Sequence, residues 1–268
     1  MLERGSEKTD SNSILLEQSY GGIEEWKEHF DYLLPFFKDK RYIRVKNKPV
    51  VLIYHTSGIP CLKEMLNYWR NCALSVGLSG IYVIGKGADY YMQRELDGVF
   101  IQEPQATIGR LINKYNMSFN DLRKFDYDEM WTESLKYYIC SEKEVYYGGF
   151  SNYDDTPRRG LKGQVVLGDS SEKFETYLAK LLAKNEVSGT DITFINAWNE
   201  WGEGMYLEPD IDFGYKYLEA VKKAKYSYHD FVQETTDFVN SDEGIRQIES
   251  KKYDIRQHRY IRIFDSWM

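Results

Sequence analysis

The chain has little of what builds covalent or metal-held frameworks. It contains three cysteines, Cys61, Cys72 and Cys140, in 268 residues. An odd number at those spacings fits neither a disulfide scaffold nor a zinc site, and a reducing compartment is the simplest setting. The four histidines, His29, His55, His229 and His258, have no ligand-like spacing, so no metal is expected. GxGxxG and P-loop motifs are both missing, and with them the usual signs of dinucleotide and nucleotide-phosphate binding. No cofactor is expected. No apolar run approaches the roughly 18–20 residues a membrane span needs. The opening stretch, MLERGSEKTDSNS, is polar and charged, unlike a secretory signal. A cytoplasmic protein that does not span a membrane is the expectation. The net charge of −7 argues against nucleic acid as a partner.

Aromatic residues are plentiful: 23 Tyr and 6 Trp bring the aromatic share to 16%. Most such side chains serve packing, but tyrosine and tryptophan also form the stacking platforms of sugar clefts. Apolar runs alternate with helical periodicity, the pattern of an α/β fold with a parallel sheet. Strands are expected at 50–54, 81–84, 96–101, 144–150 and 192–197, with a short apolar entry at 14–16. Ile23, Trp26, Phe30, Leu33, Leu34 and Phe37 recur at helical spacing, which predicts a helix over 23–37. A second helix carries Leu62, Met65, Leu66 and Trp69, with Pro60 in its first turn. One or two more lie within 105–142. Asp169 and Glu172 suggest a capping box before a helix with Phe174, Tyr177, Leu178, Leu181 and Leu182. A closing helix is expected around 214–224. Residues 1–225 read as one domain and 226–268 as a C-terminal helical extension. That extension is acidic up to 243 and basic beyond, and it either packs back on the body or docks a partner.

The most informative stretch is DITFINAWNEWGEGMYLEPD, residues 191–210. An apolar run, read as a buried strand, delivers Glu200 and Glu203 three residues apart, with Trp198, Asn199 and Trp201 around them. Glycosidic-bond chemistry needs one group to protonate the departing oxygen and a second to assist at the anomeric centre. Two crowded carboxylates can divide those tasks, because crowding raises one pKa above the other. A second stretch, SNYDDTPRRG, follows the strand at 144–150. Its Asp154 and Asp155 can accept from sugar hydroxyls, and Arg158 and Arg159 offer planar donor forks. The same residues also suit an ordinary turn. Glu103, and Glu17 with Gln18, follow other strands and could face the same mouth. His55 follows the strand at 50–54, as a sugar contact or a structural group.

NAWNEWGEGMYLEPD resembles the signature of WbsX-type proteins, usually described as glycosyltransferases of surface-polysaccharide synthesis. It is also similar to the NEWxEG signature of glycoside hydrolase family 99, the endo-α-mannosidases. YDDTPRRG resembles a WDNTPRRG element, with Tyr153 in place of Trp and Asp155 in place of Asn. EHFDYLLPFFKDKRYIRVKNKPVVLIYH resembles the WbsX pattern too, and the likeness runs over residues 14–224. It implies a glycosidase-like TIM-type (β/α)8 barrel with its site at the C-terminal face of the strands, and a glycan or polysaccharide substrate. By position, Glu203 would be the acid/base and Glu200 the base on the sugar 2-hydroxyl, through an anhydro-sugar with net retention. Tyr153 would join the sugar contacts. Relatives carry further N-terminal sequence bearing the first three strands. The five strands here then correspond to the fourth through eighth, and an incomplete barrel is expected, with the remainder supplied by a separate chain or absent. Two carboxylates and no DxD-type element suit hydrolysis or transglycosylation, against the transferase label. A glycan-binding remnant without activity is the rival from another class.

Overall fold

A computed structural model describes residues 19–86, 95–139 and 141–248. The short apolar entry expected at 14–16, with Glu17 and Gln18, lies outside the described residues, as do Cys140 and the basic end of the tail. By internal packing the chain forms two units. One is built from the residues up to Val51 with His55–Tyr82, the other from Leu52–Tyr54 and the residues from Val83 on.

In the first unit, α1 (Ile23–Lys38) packs against α2 (Leu62–Ser75). The Trp69 indole N–H donates to the Trp26 carbonyl at 2.8 Å, and its ring meets His29 edge-on at 5.0 Å. Pro60 stands before α2 rather than in its first turn, because Cys61 at the N-cap is not helical (φ −98°, ψ 21°). Between the helices, β1 (Arg44–Val45) and β2 (Lys48–Ile53) form a hairpin. Its two-residue turn, Lys46 and Asn47, takes positive φ at both positions, the geometry that matches strand twist.

In the second unit β3 (Tyr82–Lys86), which enters it at Val83, and β4 (Gly98–Ile101) pair in parallel. Next come α3 (Gln105–Tyr115), β5 (Arg123–Asp126) and α4 (Tyr127–Lys136). β6 (Glu144–Tyr147) and β7 (Gly149–Phe150) are one strand interrupted at Gly148. On one side it pairs in parallel with β4; on the other, β7 pairs in parallel with β9 (Ile195–Asn196). Gly148 is the crossing point. Its amide donates to Ile101 at 3.0 Å, and any Cβ there would stand 2.6 Å from that same carbonyl oxygen. Parallel strands whose spatial order repeats their sequence order, with helices in the crossovers from β4 to β6 and from β7 to β9, follow (β/α)-barrel topology. The α/β class and the incomplete barrel are thus as expected, since fewer than eight such strands occur among the described residues.

The strand expected at 192–197 is shorter and more open than a buried strand. Only Ile195 and Asn196 keep regular pairing, and the whole run is half-exposed. Among the described residues β9 has a ladder partner on one side only, β7.

The core of this unit lies where α4 and α6 (Ser171–Val187) meet β7. Trp131 is fully buried, stacked on Phe150 at 5.0 Å and on Tyr177 at 5.5 Å. A buried indole of this kind is worth roughly 3–5 kcal/mol against alanine. From α6, the Asn185 amide accepts from the Tyr147 N–H at 3.0 Å and donates to its carbonyl at 2.9 Å, pinning β6 to the helix. The N-cap of α6 is Ser170, whose hydroxyl accepts from Lys173 N–H at 3.2 Å. Asp169, expected to cap, instead accepts from the Tyr217 hydroxyl at 2.8 Å. That bond ties the loop to α7 (Lys216–Ser227). Beyond it a 3-10 turn, Tyr228–Phe231, and α8 (Val232–Asn240) pack on α6.

Candidate active site on the glutamate turn

After β9 the chain forms a small antiparallel hairpin, β10 (Asn199–Glu200) with β11 (Met205–Tyr206). The 3-10 turn Trp201–Glu203 closes it, and Gly204 ends the turn at φ +58°. Glu200 and Glu203 are therefore the two sides of one turn. Trp198 closes the hairpin from below, its carbonyl accepting from Leu207 at 3.0 Å and Glu208 at 2.8 Å.

SNYDDTPRRG docks against this turn. The Asp154 amide donates to the Glu203 carbonyl at 2.7 Å. On its other side the loop pairs with β8 (Gln164–Leu167), itself parallel to β5. Val166 donates to Tyr153 at 2.9 Å and Asp155 to Gln164 at 3.1 Å. The Asp154 carboxylate caps Thr156 N–H at 2.8 Å and so opens α5 (Thr156–Arg159). That short helix carries the two arginines, and the structure gives them separate partners.

Arg159 Nε donates to the buried Asp155 carboxylate at 3.0 Å; Asp155 also accepts from the Gln164 amide at 2.5 Å and the Tyr153 hydroxyl at 3.2 Å. Tyr153 and Asp155 are both buried, so they brace the loop from within. Arg158 reaches the glutamates instead. Its Nη1 lies 3.1 Å from Glu203 Oε1, a hydrogen bond, and 3.8 Å from Glu200 Oε1. Burial, followed by the neighbouring Glu200 charge, holds the Glu203 carboxyl above the ordinary glutamate range; Arg158 pulls the other way. A carboxyl raised in this manner beside a second carboxylate is equipped to donate a proton while its neighbour acts as base.

Both tryptophans of the motif are open, Trp198 at 52% and Trp201 at 47% exposure. Trp201 is nonetheless fixed: it stacks on Tyr206 at 3.9 Å and donates its indole N–H to Glu208 at 2.9 Å. Tyr206 and Glu208 are thus parts of the site that the sequence reading passed over. Their signal was proximity, since both stand in MYLEPD directly after the glutamates. Asn199, in β10, is exposed.

Glu103 and His55, also expected at the site, each have local surroundings of their own. Glu103 is buried beneath the strand ends, accepting from the Thr107 amide at 2.9 Å and from Arg110 at 3.3 Å, so its carboxylate caps α3. Its backbone carbonyl accepts from the Asn196 side chain, which ties β9 to the end of β4. His55 belongs to the first unit, where it precedes the 3-10 turn Thr56–Gly58 and its ring occupies the space over Gly58. Among the described residues no group of histidines, cysteines and carboxylates could hold a metal ion, and no helix is long and apolar enough to cross a membrane.

The chain is similar to the uncharacterized protein WxcX of Xanthomonas campestris pv. campestris. It is 27% identical over 225 residues in strain B100, covering 80% of this chain and 32% of that protein, with the same identity over 227 residues in a second strain. It therefore spans about a third of the length of these curated relatives. Among solved structures, a glycoside hydrolase-like protein aligns at TM-score 0.49 and 14% identity, covering 75% of this chain and 61% of that one. A GH99 endo-alpha-mannosidase from Bacteroides thetaiotaomicron aligns at 0.47 and 16%, covering 82% and 65%. The family model described as Glycosyltransferase WbsX matches residues 4–221. With four-fifths of its length inside that match, both glutamates and the arginine-bearing loop included, the chain belongs to the WbsX glycosyltransferase family.

Proposed function

We propose that this chain acts on glycosidic bonds of a surface polysaccharide, with Glu203 as acid/base and Glu200 as the base that assists at the sugar. One observation carries the reading: a single guanidinium, that of Arg158, reaches both carboxylates, and Glu203 is the more shielded of the two. Membership of the WbsX family supports a carbohydrate-active protein. In the forward step Glu203 gives its proton to the departing glycosidic oxygen while Glu200 removes the proton of the 2-hydroxyl, whose oxygen closes on the anomeric carbon as the glycosidic bond breaks. In the return step water or an acceptor hydroxyl gives its proton to Glu203 and opens the anhydro ring, and Glu200 returns its proton to the 2-oxygen. The half-exposed Trp201 offers an apolar platform for a sugar ring, and Trp198, Asn199 and Asp154 are its proposed companions in sugar binding.

The family description says transferase, and the carboxylate pair equally serves hydrolysis. The two differ in what accepts the sugar. Glu200→Gln and Glu203→Gln, singly and together, are to be assayed on bacterial polysaccharides for released reducing ends, and a nucleotide-sugar panel is to be titrated by calorimetry. Loss of about 100-fold or more in either variant is expected if the pair does acid–base work. Undiminished turnover in the double variant removes the reading. Donor binding without reducing-end release assigns transfer; release without donor binding assigns hydrolysis.

A further inference from the structure

We propose that Arg158 is a positioning residue rather than a sugar contact: its guanidinium is the counter-charge that lets the glutamate pair hand out a proton and take it back. An acid/base must do both, and a group that holds its proton too firmly fails at the first half. Around Glu203, burial and the Glu200 charge both favour the protonated form, and the buried Asp155 adds to them. The neighbouring Tyr153 hydroxyl is buried and neutral, kept so by burial and then by the Glu203 charge. Asp154 meets Glu203 through its backbone amide, while its carboxylate is turned to Thr156.

Two cations oppose this set, Arg158 and Arg159. Arg159 is committed to Asp155 at 3.0 Å, so its charge is largely answered within its own loop. Arg158 forms its ion pairs among the described residues with the two glutamates alone. The pairs are unequal. Only Glu203 is within hydrogen-bond range, and the charge therefore falls on the residue that must release a proton. The fold enforces this division. Successive residues of α5 point to different partners, and the seam between Asp154 and Glu203 fixes the distance between α5 and the turn.

The inference rests on Glu203 as acid/base for its meaning, but its test needs no glycan. The full chain is labelled at glutamate carboxyl carbons, and the Glu203 resonance is assigned by its loss in Glu203→Gln. Its titration is then followed in wild type, Arg158→Met and Arg158→Lys. Methionine keeps an aliphatic stem and removes the charge; lysine keeps the charge. The Glu203 midpoint is expected to move to higher pH in Arg158→Met and to stay near wild type in Arg158→Lys. A midpoint unmoved in Arg158→Met, in protein with wild-type thermal unfolding, overturns the proposal. A midpoint that moves equally in both variants also overturns it, since charge is then not the cause. Failure here leaves the carboxylate chemistry standing, and failure of the glycan assays leaves this titration readable.

Discussion

The Asp154 amide and the Glu203 carbonyl meet at 2.7 Å, and that bond is the seam between the arginine loop and the glutamate turn. Gly204 lies against it. Its φ of +58° suits glycine, and a Cβ there would stand 3.3 Å from the Asp154 nitrogen and 3.4 Å from its Cβ. Gly204→Ala is expected to cost about 1–2 kcal/mol through backbone strain and crowding. Thermal melts measure that cost. Because the crowding falls on the seam, glycan turnover should drop further than the lost stability accounts for; an equal fall in both would mean the seam does not matter to the site.

Glu203 makes stability depend on pH, with a definite sign. Its folded carboxyl is held above the ordinary value by burial and by Glu200. The folded state therefore binds the proton more tightly than the unfolded chain. The associated stability is present below the unfolded value of about 4.3 and is lost as pH rises through the folded value. Glutamine at this position has no such dependence. Melting temperatures of Glu203→Gln and wild type, compared at mildly acidic and neutral pH, should show the variant gaining on wild type toward neutrality. A gain in the opposite direction would place the ionised form as the one the fold prefers.

The adjacent arginines should separate in their effects. Asp155 is 2% exposed and holds the Arg159 guanidinium, the Gln164 amide and the Tyr153 hydroxyl. Removing a buried carboxylate strands the amide and hydroxyl that it holds, at roughly 1–3 kcal/mol, and Asp155→Ala is expected in that range by urea denaturation. A double-mutant cycle with Arg159→Ala should return a coupling above about 0.5 kcal/mol. Arg158→Met, which breaks a half-exposed pair, should change stability by less than about 1 kcal/mol. Similar losses for both arginines would contradict the separate partners described for them.

Lys184 is a buried cation with no carboxylate bonded to it among the described residues. From α6 its ammonium donates to the Ser134 and Tyr137 carbonyls at 2.8 and 2.6 Å, at the C-terminal end of α4. The Tyr147 and Tyr138 rings flank it at 3.9 and 4.4 Å. Burial pushes the ammonium well below the ordinary lysine range, against the pull of Glu103. Lys184→Met keeps the volume but strands two carbonyls, an expected cost of about 1–3 kcal/mol. Lys184→Ala adds a cavity and should cost more, up to about 5 kcal/mol. Equal costs would show that the carbonyl bonds, and not packing, dominate.

The strands and helices with strong apolar periodicity were legible in the sequence because burial imposes that periodicity; all five expected strands are present. β5 and β8 were not. Arg123–Asp126 reads RKFD, with alternate side chains exposed, and its pairing is set by a distant partner that no local pattern names. The glutamate turn was legible because its chemistry-bearing residues are contiguous. The jobs of Asp155, Glu103 and Ser170 were not, since an acid's burial and a hydroxyl's choice of amide are decided by tertiary neighbours. Asp169 illustrates the point: it has the right residue type for a cap, but Tyr217 takes its carboxylate.

The hairpin of β10 and β11 separates two properties of the carboxylate pair. The gap between Glu200 and Glu203 is set by a three-residue turn and by the register of Asn199 with Tyr206 and Glu200 with Met205. Local geometry alone maintains it. Where the pair points depends on Asp154, which belongs to a different segment. On the function proposed for the pair, sequence change in the loop re-aims the two carboxylates toward a new linkage without altering their spacing, so that substrate preference and chemistry would vary independently.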